Sequence, residues 1–261
     1  MNIEVVIAAM RQEARSLATG GDQVERLPYL TRRLSTSASG NMVTAFNLDS
    51  AHADDAISGE IAFFAALGQP FEWKVFSFDS PPDLLDRLGA AGFRVGPKEA
   101  VMVYDLADGM GPFEENHVCE VHRIEDLNQL ARFRQVAEAV FAKDYGPTTN
   151  ELAEAIRTGQ KGHDGYLGTI DGEPACVGRL YTDPASAFAG LYGGGTLAEF
   201  RGRGCYRAMV GARAHDAVIA GSRYLLVDAL PTSQPILTRL GFVCAAETWP
   251  CSSPAIEGLE C

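Results

Sequence analysis

The segment 200–207 reads Phe-Arg-Gly-Arg-Gly-Cys-Tyr-Arg and lies between a predicted strand and a predicted helix. Gly202 and Gly204 allow the backbone to turn sharply and to approach a ligand closely. The helix that follows begins with backbone N–H groups that have no partner within the helix. Arg201, Arg203 and Arg207 add positive charge at the same place. Together these features predict a site for an anionic group such as a pyrophosphate.

Other phosphate-binding loops fit this segment less well. No Gly-Lys-Ser/Thr follows the glycines, which excludes a P-loop, and the third glycine of a dinucleotide-binding fingerprint is missing. The remaining alternative is a plain strand-to-helix turn whose glycines only permit the bend. Arg213, a fourth arginine in the predicted helix, adds to the local positive charge and favours the anion site.

The strand before this segment, predicted at 187–197, is interrupted by Gly193, Gly194 and Gly195. Three successive glycines weaken a strand, and they are typical of a bulge or of a close approach by another group. Two interpretations follow. The glycines are either an irregularity of the sheet without a chemical role, or the place where a backbone amide is directed at a substrate oxygen.

The composition limits the classes of partner. The 261 residues include 34 acidic and 22 basic side chains, for a formal net charge of -12. This charge argues against a nucleic-acid or anionic-membrane surface and favours small cationic partners. The first twenty residues carry interspersed charges and no apolar run reaches membrane-spanning length, so we expect a cytoplasmic protein.

The six cysteines show no paired spacing, and this is typical of reduced thiols. His117, Cys119 and His122 could be mistaken for metal ligands. On a strand, however, His122 points away from the other two residues. The sequence therefore predicts no metal site.

A segment rich in glycine and acidic residues, 107–116, is the best domain boundary, and it predicts domains 1–113 and 114–261. In the first domain, strands are predicted at 29–35, 42–48, 71–78 and 100–106, and helices at 51–67 and 81–92. The second domain has predicted strands at 118–124, 166–170, 174–181, 187–197, 223–229 and 242–249, and helices at 127–141, 151–157, 204–220 and 234–240.

The order of strand, Arg201-Gly202-Arg203-Gly204, long helix, strand, short helix and Leu240-Gly241-Phe242 resembles the GNAT superfamily of acetyl-CoA-dependent N-acetyltransferases. The resemblance covers residues 118–249. It implies an α/β fold with a mixed, mostly antiparallel central sheet flanked by helices. The segment 71–93 looks like a degenerate second copy that lacks the arginine-glycine loop, which implies a tandem arrangement in which the first domain binds no coenzyme.

The resemblance also implies the acetyl-CoA site. The family's loop motif is Arg/Gln-x-x-Gly-x-Gly/Ala, and its amides hold the pyrophosphate of coenzyme A. Arg201 and Gly204 match the motif, whereas Tyr206 departs from its last position, so we expect the Tyr206 ring to lie away from the ligand. The preceding strand is expected to splay from its neighbour and to pair with the pantetheine arm. The implied cofactor-binding residues are Gly194, Thr196, Leu197, Arg201, Gly202, Arg203, Gly204, Cys205, Tyr206 and Arg207.

The catalytic residues are less clear from the sequence. Many family members have a tyrosine four residues before the last Gly-Phe to protonate the leaving thiolate, and this chain has Leu237 there. The remaining polar candidates are Tyr192, expected to share a strand face with Thr196, and Asp228 and Ser233, which follow in the next strand and short helix. Cys205 is not expected to form an acyl-enzyme, because family members of this type pass the acetyl group directly.

The resemblance predicts an N-acetyltransferase that moves acetyl from acetyl-CoA to a primary amine of a small molecule or peptide by direct attack in a ternary complex. The acidic composition suits a polyamine, an amino sugar or a lysine as acceptor. We expect a monomer or homodimer that uses no metal and binds neither nucleic acid nor membrane. Two alternatives stay open: a catalytically silent acyl-CoA-binding sensor or scaffold, consistent with Leu237, and an unrelated phosphate-ligand module.

Overall fold

The computed structural model describes residues 1–16, 23–35, 40–45, 48–113 and 118–255. The chain divides into two compact units. Unit 1 comprises Met1–Val101, Asp228–Pro231 and Cys244–Cys261, and unit 2 comprises Met102–Val227 and Thr232–Val243.

This division differs from the predicted boundary after residue 113. The chain passes between the units within three strands, at residues 101–102, 227–228 and 243–244, and also at 231–232, because strand pairing groups residues that are distant in sequence. The functional division into an N-terminal copy without coenzyme and a C-terminal acetyl-CoA domain stays a prediction.

Unit 1 has a sheet with the strand order β1-β2-β3-β4-β12, and β5 also pairs with β12. The predicted strands at 29–35 and 42–48 correspond to β2 and β3, which are antiparallel, whereas β3 and β4 are parallel. Its elements are α1 (Ile3–Ser16), β1 (Gln23–Arg26), β2 (Leu30–Leu34), β3 (Asn41–Ala45), α2 (Ala53–Leu67), β4 (Phe71–Phe76), α3 (Leu84–Ala90), β5 (Arg94–Val95), the start of β6 (Glu99–Asp105) and most of β12 (Val243–Ser252).

The core of unit 1 follows from the alternation of β4. Phe71, Trp73 and Val75 are buried, and the intervening residues are partly exposed, as the period of two predicts. Phe64 of α2 stacks on Phe71 with ring centroids 4.3 Å apart. Beside this core, Arg32 makes a bidentate ion pair with Glu60 at 2.7 and 2.6 Å, so the two buried charges compensate each other.

Unit 2 has the strand order β6-β11-β10-β9-β8-β7. The pairs β7–β8, β8–β9 and β9–β10 are antiparallel, whereas β10 and β11 are parallel. Besides the rest of β6, its elements are β7 (Glu120–Arg123), α4 (Leu127–Phe141), α5 (Gly146–Thr158), β8 (His163–Ile170), β9 (Glu173–Tyr181), β10 (Phe188–Thr196), α6 (Cys205–Ile219), β11 (Tyr224–Ala229), whose last two residues belong to unit 1, and α7 (Gln234–Arg239).

Local chemistry explains two of these elements. The Asp126 carboxylate accepts hydrogen bonds from the amides of Asn128 and Gln129 and so caps α4, which spans the predicted residues. Asp171 and Gly172 adopt positive φ angles of 53° and 82°, as a tight hairpin between β8 and β9 requires. The predicted fold class, a mixed and mostly antiparallel sheet flanked by helices, is confirmed. Among the described residues, no helix is long and apolar enough to cross a membrane.

Candidate functional site

The arginine-glycine turn (residues 201–204) connects β10 to α6 through backbone that favours glycine. Gly202 and Gly204 have φ angles of 74° and 83°, in the left-handed region. At the start of α6, the Ala208 amide donates a hydrogen bond to the carbonyl oxygen of Gly204 at 3.0 Å. The amides of the preceding turn are thus left to an acceptor outside the helix, as at other anion-binding helix starts.

The arginines around this turn divide into two groups. Arg201 and Arg203 are exposed, and Arg201 Nε also donates to the carbonyl oxygen of Thr196 at 3.2 Å. Arg213, in contrast, is 1 % exposed. The prediction that Arg213 adds to the positive charge of the anion site is wrong. Arg213 lies one helical turn after the buried Met209, on the face of α6 that packs on the sheet.

The strand β10 separates from β11 before it reaches the turn. The two strands pair in parallel at three positions, from Phe188 opposite Tyr224 to Gly190 opposite Leu226. Beyond Gly190, β10 continues to Thr196 along β9, and its register shifts between Tyr192 and Gly195. The predicted irregularity at the glycines is therefore present, and we call residues 192–195 the glycine bulge.

The bulge changes which side chains share a face. Tyr192 lies opposite Arg179 on β9, and Thr196 lies opposite Cys176. Arg179 and Cys176 are three residues apart on a regular stretch of β9, so they point to opposite faces of the sheet. The prediction that Tyr192 and Thr196 share a face is wrong, since the extra residue of the bulge reverses the alternation.

The face of the bulge toward α4 and α5 carries a tyrosine and an arginine. A Cβ at Gly193 would lie 3.3 Å from Tyr145 Oη and 3.4 Å from Arg179 Nε. Tyr145 precedes α5 and stacks on Phe141 with ring centroids 5.3 Å apart. Burial raises the pKa of Tyr145, although the charge of Arg179 opposes the shift, so the hydroxyl keeps its proton at neutral pH. Tyr192 lies on this face too and is 48 % exposed.

The face of the bulge toward α6 carries a second guanidinium. Arg213 Nη1 donates to the carbonyl oxygens of Arg179 at 3.1 Å and Tyr192 at 3.4 Å. A Cβ at Gly194 would lie 3.2 Å from both Arg213 Nη2 and Tyr206 Cε2. The Tyr206 ring thus packs under Gly194, and burial raises its pKa. The glycine bulge is therefore flanked by positive charge on both faces.

The other predicted cofactor-binding residues lie along the same strand end. Thr196 Oγ1 is buried and has no hydrogen-bond partner among the described residues. The Leu197 amide donates to the carbonyl oxygen of Ala175 at 2.9 Å, and Arg207 is half-buried in the first turn of α6. Cys205 is 2 % exposed, and burial raises the pKa of its thiol to about 11, which disfavours the nucleophilic thiolate.

The two other predicted catalytic residues have structural partners. Asp228 belongs to unit 1 and forms an ion pair with Lys74. Ser233 belongs to unit 2 and precedes α7, and its carbonyl oxygen accepts from the amide of Leu237 at 3.1 Å. The Leu237 side chain is fully buried. Catalytic roles for Tyr192, Asp228 and Ser233 stay predictions.

Sequence reasoning missed Tyr145 and Arg179, the two side chains next to Gly193. Tyr145 stands between two predicted helices, and Arg179 stands in a strand whose apolar neighbours are typical of a buried core. No local pattern marks either residue, because their proximity depends on how α5 and β9 pack against β10.

Comparison with known proteins places the whole chain among known folds. Neither the protein-family models nor the curated protein sequences that we compared with the chain gave a match. Solved structures do match it over most of its length. A GCN5-related N-acetyltransferase from Kribbella flavida superimposes with a TM-score of 0.70, at 16 % identity, over 96 % of this chain and 95 % of that one. The chain has the GNAT fold.

Two further solved structures support this result for the whole chain. A GCN5-related N-acetyltransferase from Sphaerobacter thermophilus has a TM-score of 0.64 at 12 % identity, over 98 % of this chain and 87 % of that one. A tandem GNAT protein from the clavulanic acid biosynthesis pathway has a TM-score of 0.58 at 12 % identity, over 100 % and 89 %. The predicted resemblance to the GNAT fold, including tandem proteins, is confirmed at the level of the fold.

Proposed function

We propose that this GNAT-fold chain is an acetyl-CoA-dependent N-acetyltransferase whose acetyl group is positioned at the glycine bulge. The observation that carries the proposal is the separation of β10 from β11 after Gly190, immediately before the turn formed by Gly202 and Gly204. A strand with a free edge can pair with an amide-containing arm, and the helix start that follows can bind a pyrophosphate. Coenzyme A contains both groups in that order.

The residues present fit this substrate. Arg201 and Arg203 are exposed beside the first-turn amides of α6, so charge and hydrogen-bond donors converge where a pyrophosphate would be held. Gly194 and Thr196 would offer backbone groups to the pantetheine arm, and the buried Thr196 hydroxyl has an unused hydrogen-bonding capacity. Leu197, Gly202, Gly204, Cys205, Tyr206 and Arg207 complete the proposed coenzyme-binding set.

The charges at the bulge suit acyl transfer. The amine nitrogen attacks the thioester carbonyl carbon, the carbon–sulfur bond breaks, and the thiolate leaves while the nitrogen loses a proton. Negative charge develops on the carbonyl oxygen in the transition state. Arg179 and Arg213, held on opposite faces of the bulge, would stabilise this charge without reorganisation.

Tyr145 is our proposed proton donor for the thiolate. Its hydroxyl lies next to Gly193 and carries its proton at neutral pH. It would replace the family tyrosine that is absent at Leu237, from a different element of the fold. Tyr192 or a water remains the candidate to accept the proton of the amine.

The bulge also suggests the chemistry of the acceptor. The acidic composition alone favours a cationic acceptor, but two guanidinium groups at the bulge would repel a second positive charge close to the reacting amine. Arg179 Nε is buried without a hydrogen-bond partner among the described residues. We therefore propose a primary amine that has a carbonyl or carboxylate oxygen nearby, as in an amino acid or a peptide N-terminus.

Calorimetry followed by a turnover assay tests the proposal. The first step titrates the protein with acetyl-CoA, coenzyme A and ATP, and we expect binding of both CoA species and weaker binding of ATP. Tight ATP binding without a CoA response would support the phosphate-ligand module instead. The second step measures free thiol release with amino acids, dipeptides, amino sugars and polyamines. CoA binding without turnover on any amine would support the silent sensor.

A further inference from the structure

Three cysteines that are far apart in sequence meet inside unit 2. The Sγ atoms of Cys119, Cys176 and Cys205 all lie within 4.8 Å of one another. Their residues are 4 %, 0 % and 2 % exposed. They come from the residue before β7, from β9 and from the first position of α6, and we call them the three-thiol cluster.

A glycine makes room for this cluster. Gly168 of β8 pairs with Cys176 of β9, and a Cβ at Gly168 would lie 2.4 Å from Cys176 Sγ and 3.0 Å from Cys119 Sγ. The two sulfur atoms therefore meet above the bare backbone of β8, 3.7 Å apart. Any side chain at position 168 would occupy the space that the thiols use.

The strand arrangement argues against a disulfide bond between Cys119 and Cys176. Cys119 immediately precedes β7, and β8 lies between β7 and β9, which carries Cys176. Two strand spacings separate their Cα atoms by about 9–10 Å, whereas a disulfide tolerates at most about 7 Å. The sulfur atoms can still share a ligand that lies between them.

We propose that the three-thiol cluster is a trigonal binding site for a soft monovalent cation, Cu(I). One edge of the sulfur triangle is 3.7 Å, and all three are at most 4.8 Å. An equilateral triangle with edges of about 4 Å has its centre about 2.3 Å from each corner, which is the length of a metal–thiolate bond. Thiolate sulfur selects Cu(I), Zn(II) and iron–sulfur clusters. A structural Zn(II) site uses four ligands, and among the described residues the group offers three.

The chemistry of the ligands sets the pH dependence of the site. The thiolate, and not the thiol, is the metal ligand, so a cation that binds all three sulfur atoms must displace the protons that the thiols carry. Its affinity should therefore rise with pH.

The buried Arg213 also favours this site. Its charge acts on Cys176 and would offset part of the negative charge of a tris-thiolate complex. The proposal can be tested without acetyl transfer, because Cu(I) binding is measured directly.

Anaerobic titration of the reduced full-length protein with Cu(I), in competition with bicinchoninate, tests the site. We expect one equivalent of Cu(I) per chain, with proton release on binding and an affinity that rises with pH. Cys119→Ser, Cys176→Ser and Cys205→Ser should each weaken binding by more than about 100-fold. Gly168→Ala should weaken it too without removing a ligand. The matched control is the Cys244→Ser, Cys261→Ser double variant, which keeps the cluster and should bind normally.

X-ray absorption spectroscopy of the wild-type complex keeps the proposal testable if a cluster variant misfolds. We expect three sulfur neighbours around copper. Unchanged affinity in the folded cluster variants would overturn the proposal. Fewer than three sulfur neighbours, or loss of binding in the double control variant, would overturn it as well.

Discussion

Arg213 on α6 donates from Nη1 to the carbonyl oxygen of Arg179 on β9 at 3.1 Å. This bond fixes one guanidinium behind the glycine bulge, while the Arg179 side chain reaches the other face beside Gly193. Two like charges held this close cost free energy unless other groups offset the repulsion. A developing oxyanion at the bulge would offset it, which is why we assign both arginines to the proposed transition state.

Replacing Arg213 should separate the electrostatic role from the structural one. We expect Arg213→Met to lower kcat by about 100- to 1,000-fold through loss of a fixed charge at the oxyanion. Steady-state kinetics and thermal unfolding measure the two effects in parallel. Arg157→Met, on the exposed face of α5, is the matched control. If the variant has the wild-type kcat at a temperature where it is fully folded, Arg213 contributes to stability alone.

Tyr145→Phe tests the proposed proton donor. We expect kcat to fall by about 100-fold or more, because the thiolate would leave without a proton. Burial raises the pKa of Tyr145, so its hydroxyl should deprotonate only above the ordinary range of tyrosine near pH 10. The wild-type rate should therefore fall only at such alkaline pH. This decrease should be absent in the variant. Tyr192→Phe is the companion variant. A larger loss there than in Tyr145→Phe would favour the residue that the sequence suggested.

Gly204→Glu should abolish CoA binding. The substitution adds a negative side chain at the start of α6, and it strains a backbone with a φ angle of 83°. Gly172→Glu is the control for strain, since Gly172 has a φ angle of 82° in an open hairpin turn. Calorimetry with coenzyme A measures both variants. Equal affinities in the two would refute the location of the pyrophosphate.

Leu237→Ala should affect stability rather than chemistry. The side chain is fully buried in α7, and its truncation should lower the free energy of unfolding by about 2–5 kcal/mol. Chemical denaturation measures this change, and kcat should change by less than about threefold at a temperature where the variant is folded. A large loss of kcat at unchanged stability would show that position 237 takes part in catalysis.

Asp79 in unit 1 should make stability depend on pH. Burial raises the pKa of this carboxyl to about 7, although the Phe76 amide, which donates to it at 2.8 Å, opposes the shift. The folded state then binds more protons than the unfolded state between about pH 4 and 7, so this contribution is complete below pH 4 and is lost as the pH rises to 7. Asp79→Asn should raise the melting temperature at pH 8 and change it little at pH 4.5. An equal shift at both pH values would contradict the raised pKa.

Much of the fold could be predicted from local patterns. The sequence predicts the helix at 127–141 with its observed bounds, because its apolar residues follow the helical period. The turn between β8 and β9 is equally local, because Asp171-Gly172 is a pair that favours tight hairpins. Each of these features depends on residues within one or two turns of chain, and such patterns are visible in a sequence.

The domain boundary and the face of Arg213 could not be predicted in this way. The composition of 107–116 predicts a boundary, whereas the chain passes between the compact units at residues 101–102, 227–228, 231–232 and 243–244. The sequence presents Arg213 as surface charge, but its guanidinium donates to the carbonyl oxygens of Met209 in α6 and Arg179 in β9. Long-range pairing and burial decided both.

The sequence by itself determined the arginine-glycine turn, the glycine run before it and the order of elements that resembles the GNAT superfamily. Only the tertiary structure placed Tyr145 and Arg179 beside Gly193 and brought the thiols of Cys119, Cys176 and Cys205 together. The reason is physical: turns and helix starts are specified by neighbouring residues, whereas these sites form where strands and helices distant in sequence pack together.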